Sequence, residues 1–198
     1  MLIYVNGVRF TDEAEEMRNI KNVDFFGIVF TNDSEYRVSV GSGRAIADVL
    51  HAGGKKVVGV FANQSVDEVK SAVKACHLDA VYLDGFENPD YCRKLGGIIW
   101  KSFPMDYDIA EMAYFTQYIE YPFFNVASDG DLSTLAGMGM DFAVAGKINV
   151  DNLEAVWAAH PAAVAFGAEF EHNGRKNKGL IEQAVQIMKD FGERGKKA

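Results

Sequence analysis

Apolar, β-branched runs recur along the chain and alternate with stretches whose apolar positions fall at helical spacing. The first run, LIYVN (2–6), gives way to a helix opening at Thr11, an expected N-cap, with acidic residues between Glu13 and Glu16 complementing the helix dipole. VDFFGIVF (23–30) precedes a helix through GRAIADVLHA. KKVVGVFA (55–62) leads to Ser65, where Glu68 completes a capping box for VDEVKSAVKACH. DAVYLDG (79–85) is followed by a short helix with Pro89 near its start, and GGIIWKSF (96–103) by IAEMAYFTQYI. PFFNVA (122–127), DFAVAG (141–146) and AAVAFGAEF (162–170) are each followed by a helical pattern, the last being the amphipathic GLIEQAVQIMKDFGER.

That is about eight strand–helix cycles. Runs of Val, Ile, Phe and Ala without alternation belong to strands buried on both faces, as in a parallel sheet. Eight such units favour a closed (β/α)8 TIM barrel, an α/β fold, over an open doubly wound sheet. No linker or low-complexity tract interrupts the pattern, so residues 1–198 are expected to form a single (β/α)8 barrel domain.

Composition agrees: 198 residues, 48% of them hydrophobic, suffice for one sizeable core. A formal net charge of −8 argues against nucleic acid or an anionic membrane as partner. No apolar run reaches membrane-spanning length and no export signal is visible, so the expected setting is cytoplasmic. Cys76 and Cys92 lack ligand spacing and read as reduced, buried thiols. His51, His77, His160 and His172 are widely spaced, so neither a metal nor a cofactor is expected.

In a TIM barrel, function sits where the strands end at their C-terminal side. Those ends carry Asn6, Thr31, Asn63, Asp84, Lys101, Asn125, Lys147 and Glu169. Helix capping and loop hydrogen bonds compete with ligand binding as the role of any single Asn. Lys101 divides between a lysine snorkelling from a strand end and a Schiff-base former. The HNGRKNKG stretch (172–179) reads as a solvated basic loop.

VVGVFANQS (57–65), VYLDGFENPDYC (81–92), VAGKINVDNL (144–153) and NVDFFGIVF (22–30) together resemble the phosphoribosylanthranilate isomerase family of tryptophan biosynthesis. The resemblance covers essentially the whole chain. It implies a (β/α)8 barrel and an Amadori rearrangement, in which an acid protonates the ring oxygen and a base removes the sugar C2 proton. The family places a cysteine base after strand one and an aspartate acid at the end of strand six. Asn6-Gly7-Val8 and Phe124-Asn125 stand in those contexts, so both catalytic positions carry amides that cannot exchange a proton near neutrality.

The family's phosphate-holding turns after strands seven and eight correspond to Ala145-Gly146-Lys147 and Gly167-Ala168-Glu169. One glycine is kept at Gly146, Lys147 offers a compensating charge, and Glu169 brings a carboxylate that repels phosphate. An arginine expected after strand two is displaced to Arg37, with Tyr36 in its place. The expected ligand is a small phosphorylated or sugar-like molecule at a rim lined by Asn6, Asn63, Asp84, Asn125, Gly146 and Lys147, and the chain leaves room for a homo-oligomer.

Three functions follow. The isomerase activity is lost or very weak in a divergent ligand-binding or partner-serving relative. Alternatively, the isomerase survives with another proton shuttle such as Asp129, or new sugar-carbonyl chemistry uses the same rim.

Overall fold

A computed structural model describes residues 1–195. Eight parallel strands close into a barrel: β1 (Leu2–Val5), β2 (Phe25–Val29), β3 (Lys56–Phe61), β4 (Ala80–Leu83), β5 (Ile99–Phe103), β6 (Tyr121–Val126), β7 (Ala143–Gly146) and β8 (Ala163–Phe166), with β8 pairing back to β1. The intervening helices are α1 (Thr11–Met17), α2 (Val40–Ala52), α3 (Val66–Cys76), α4 (Pro89–Leu95), α5 (Ile109–Met112), α6 (Asp129–Ala136), α7 (Leu153–Ala158) and α8 (Lys178–Gly195). No helix among the described residues is long and apolar enough to cross a membrane.

Alternate residues of each strand serve two cores. Tyr4, Phe25, Tyr82, Trp100 and Phe123 pack inside the barrel with Ala80, Ala143, Ala163 and Ala165. Ile3, Val5, Val81, Leu83, Phe124 and Val144 join the core between strands and helices. The interior is lopsided: bulky rings from β1, β2, β4, β5 and β6 fill the space left by alanines on β7 and β8. Trp100 and Phe123 meet at 5.4 Å between centroids, Tyr82 and Phe123 at 5.1 Å. This aromatic plug floors the cavity at the strand ends.

Several local features differ from the sequence expectation. Phe10, not Thr11, occupies the cap of α1; the Glu13 carboxylate reaches back to the Arg9 N–H at 2.8 Å and does the capping. The capping box of Ser65 and Glu68 forms as expected, with Oε2 accepting from Ser65 N–H at 2.8 Å. The 109–119 pattern yields only the single turn of α5, followed by tight turns through Tyr118. Its aromatic and β-branched residues lose rotamer freedom in a helix, and the Thr116 hydroxyl bonds the Ala113 carbonyl instead.

The basic stretch expected as a solvated loop contains a hairpin of β9 (Glu171–His172) and β10 (Arg175–Lys176). Lys176 is buried. Its Nζ donates to Glu171 Oε1 at 2.6 Å and to the Gly167 carbonyl at 3.0 Å, while its N–H donates to Glu13 Oε1 at 2.6 Å. The hairpin thereby fastens the end of β8 to the start of α1. Cys76 and Cys92 are free and buried.

Candidate functional site

A cavity of about 430 Å3 opens at the C-terminal strand ends. Asn6, Asp84, Asn125, Lys147 and Glu169 supply its polar wall, with Tyr4 and Tyr82 beneath. Asn6 follows β1 directly. Its Oδ1 accepts the Tyr4 hydroxyl at 2.8 Å, which leaves the amide NH2 without a partner among the described residues. Gly7 turns the chain away with φ +89°, and the N–H groups of Gly7 and Val8 both donate to the Gly27 carbonyl. Gly27 faces the same spot: a Cβ there would collide with the Tyr4 hydroxyl and Asn6 Oδ1.

On the opposite wall, Asn125 Nδ2 donates to Ser102 Oγ at 3.3 Å. The Ser102 hydroxyl also lies near enough to the Asp84 carboxyl and the Tyr82 hydroxyl to favour their ionised forms. A serine has one proton, so accepting from Asn125 leaves its own O–H for the carboxylate. Asp84 is open to solvent at the mouth but enclosed by protein on its other sides. That desolvation pushes its carboxyl above the usual range; the Ser102 hydrogen bond and the Lys101 charge pull it back in part, and Glu87 pushes it further up. Burial also raises both phenols, Tyr4 and Tyr82, which are neutral donors at physiological pH.

The third wall comes from β7 and β8. Gly146 has φ +95°, and a Cβ there would strike the Val126 backbone, so the turn needs glycine. Lys147 N–H donates to the Val126 carbonyl at 2.9 Å. Gly167 enters a 3-10 turn, Ala168–Phe170, that places Glu169 on the rim. The cavity wall thus holds two carboxylates, Asp84 and Glu169, against the single ammonium of Lys147.

Other expected rim residues lie elsewhere. Asn63 serves the neighbouring loop: with φ +61°, it accepts the Phe86 N–H on Oδ1 at 2.7 Å. Lys101 points outward from β5, buried, with Nζ donating to the Gly85 carbonyl at 2.7 Å and pairing with Glu87 at 3.4 Å. Burial lowers its pKa while Glu87 opposes the shift. Its bonds hold the 84–88 loop, at the wall of the larger pocket beside the cavity. Arg37 lines a groove with α2 and α3 residues, away from the cavity. Asp129 begins α6 and is absent from the cavity wall.

Sequence reasoning passed over Tyr4, Tyr82 and Ser102. The signal was strand parity: residues two positions apart share a face, so Tyr4 lies under Asn6, Tyr82 under Asp84, and Ser102 faces inward where Lys101 does not.

A larger pocket of about 1100 Å3 adjoins the cavity, with Asp84 and Asn125 in both linings and Phe86, Tyr107 and Tyr114 among its walls. Among the described residues, no group of three or more His, Cys, Asp or Glu side chains could hold a metal ion.

Comparison with known proteins agrees with this architecture. The family model N-(5'phosphoribosyl)anthranilate (PRA) isomerase matches residues 6–187. The N-(5'-phosphoribosyl)anthranilate isomerase of Clostridium acetobutylicum is 28% identical over 96% of this chain and 98% of its own. That of Maridesulfovibrio salexigens is 27% identical over 95% and 98%. Among solved structures, phosphoribosyl anthranilate isomerase from Thermus thermophilus superposes with a TM-score of 0.82 at 21% identity, covering 96% of this chain and 100% of that one. The 3-hexulose-6-phosphate synthase of Salmonella typhimurium shares the fold at a TM-score of 0.74 and 15% identity, covering 96% of this chain and 99% of that one.

Proposed function

The chain belongs to the N-(5'-phosphoribosyl)anthranilate isomerase family, and from that premise we propose that it has lost or greatly weakened the family reaction while keeping the rim cavity for a small sugar-like ligand. One observation carries this reading. Asn6 and Asn125, at the positions the resemblance gives to the base and the acid, line one cavity and are both amides. A general acid or base contributes roughly 10²–10⁴-fold, and an amide supplies neither.

The phosphate end supports the same reading. Glu169 puts a carboxylate on the turn after β8, to which the resemblance gives a phosphate-holding role, and Lys147 offsets it only in part. Asp129, one example of another proton shuttle for a retained isomerase, lies outside the cavity. Asp84 favours a second reading, new sugar-carbonyl chemistry on the same rim, because it is a carboxyl in the cavity held above its usual pKa.

Expression in a tryptophan auxotroph lacking the isomerase tests the main reading. No growth without tryptophan is expected from the soluble, folded protein; growth would overturn it.

A further inference from the structure

We propose that Asp84 is the proton-transfer group of this cavity, a catalytic carboxyl at the end of β4 held in place by Ser102, and that it acts on the carbon beside the carbonyl of a small open-chain 2-hydroxy aldehyde or ketone. The inference rests on the second reading above and assigns its chemistry to one residue. Asp84, Ser102 and Asn125 come from adjacent strands, β4, β5 and β6, and meet at the cavity wall. Asn125 donates to Ser102, which leaves the serine O–H available to the carboxylate. The carboxylate faces the cavity it shares with Asn6 and Lys147.

Asn125 has a reason to be an amide in this arrangement. A carboxylate at that position would contend with Asp84 for the single Ser102 proton and repel it. Across the cavity, Asn6 offers an NH2 that no described residue uses, and Lys147 offers an ammonium. Both suit the oxygens of a polyhydroxylated ligand.

The step balances within these groups. The Asp84 carboxylate takes the proton from the carbon bearing the hydroxyl. The C–H electron pair becomes the carbon–carbon double bond of an enediolate, and the carbonyl π pair moves onto its oxygen, which Asn6 and Lys147 hold. Return of the proton from the Asp84 carboxylic acid to the same carbon restores the starting compound; its delivery to the former carbonyl carbon, with the hydroxyl proton passing to the enediolate oxygen, gives the isomeric hydroxy carbonyl compound, and exchange of the acid proton with solvent labels the carbon.

The experiment follows loss of the C–H proton signal of dihydroxyacetone, D-erythrose and D-ribose in D2O by NMR, with binding of the same sugars read from protein chemical shifts. We expect exchange above the buffer rate for at least one sugar, reduced at least about 100-fold in Asp84→Asn. Ser102→Ala should keep exchange but move its pH midpoint upward, because the carboxylate loses a hydrogen bond that favours ionisation. Circular dichroism confirms that each variant is folded. Exchange unchanged in Asp84→Asn overturns the proposal. Binding without exchange overturns it while leaving the ligand reading intact, and absence of binding overturns both.

Discussion

Tyr4 donates its hydroxyl to Oδ1 of Asn6 across 2.8 Å, and Gly27 stands against both, with no room for a Cβ. The amide at the tip of β1 is therefore positioned from below and from the side, with its NH2 toward the cavity. Tyr4→Phe should cost about 0.5–1.5 kcal/mol, the net value of one hydrogen bond. Gly27→Ala should cost about 1–3 kcal/mol, because a Cβ is forced into a filled space. Urea denaturation ranks the two; equal, negligible effects would show that Asn6 is not held in this way.

The 84–88 loop hangs on a buried ion pair. Glu87 accepts the N–H groups of Asn63 at 2.7 Å and Gly85 at 3.1 Å, and Lys101 pairs with it at 3.4 Å. Lys101→Met strands a buried carboxylate and should cost about 3–5 kcal/mol, whereas exposed pairs are worth about 0–1. In the Lys101→Met/Glu87→Gln double variant the loss should fall well short of the two single losses added, since each single change already removes the interaction. Additive losses would mean the pair is not coupled.

Asn63 combines a left-handed backbone with a bond to the Phe86 N–H. Asn63→Gly keeps the first and loses the second; Asn63→Ala loses both and should be less stable by a further 1–2 kcal/mol or so. Hydrogen exchange at the Phe86 amide should accelerate in both variants. An unchanged Phe86 amide would remove Asn63 from the loop's support.

These residues also mark how far the sequence carried. The eight cycles of apolar runs and helical patterns sufficed for the barrel, because burial on both strand faces leaves few alternatives. Asn6, Asp84, Asn125, Gly146 and Lys147 share the cavity as the rim position suggested. Asn63 and Lys101 do not, since a strand end names a location while parity and loop hydrogen bonding decide which way the side chain faces. Lys176 was hidden for a different reason: a lysine within a basic run gives no local sign that a hairpin will fold its ammonium onto Glu171 and its N–H onto Glu13 at the far end of the chain.

Asp84 sets a pH dependence whose sign is fixed by its raised pKa. Between the unfolded value of 3.8 and the higher folded one, the native protein holds a proton that the unfolded chain has released. The stabilisation is full below 3.8 and is lost as pH rises through the folded value. Asp84→Asn should therefore gain stability relative to the unmodified protein on going from acid to neutral pH, by less than about 1 kcal/mol for so solvent-screened a group. Asn125→Asp should act oppositely, placing two carboxyls on Ser102 that titrate as a coupled pair with one value raised further. Carboxyl 13C titration reads both variants; two ordinary, independent values in Asn125→Asp would contradict the shared site.

The most direct test is turnover of freshly generated phosphoribosylanthranilate, followed by loss of its fluorescence at high protein concentration, with Asn6→Cys/Asn125→Asp measured beside the unmodified protein. The unmodified protein should stay at the background rate. Activity in the double variant would localise the loss to the proton shuttle, and inactivity there would extend it to the altered phosphate turns. Clear catalytic turnover by the unmodified protein would contradict the account.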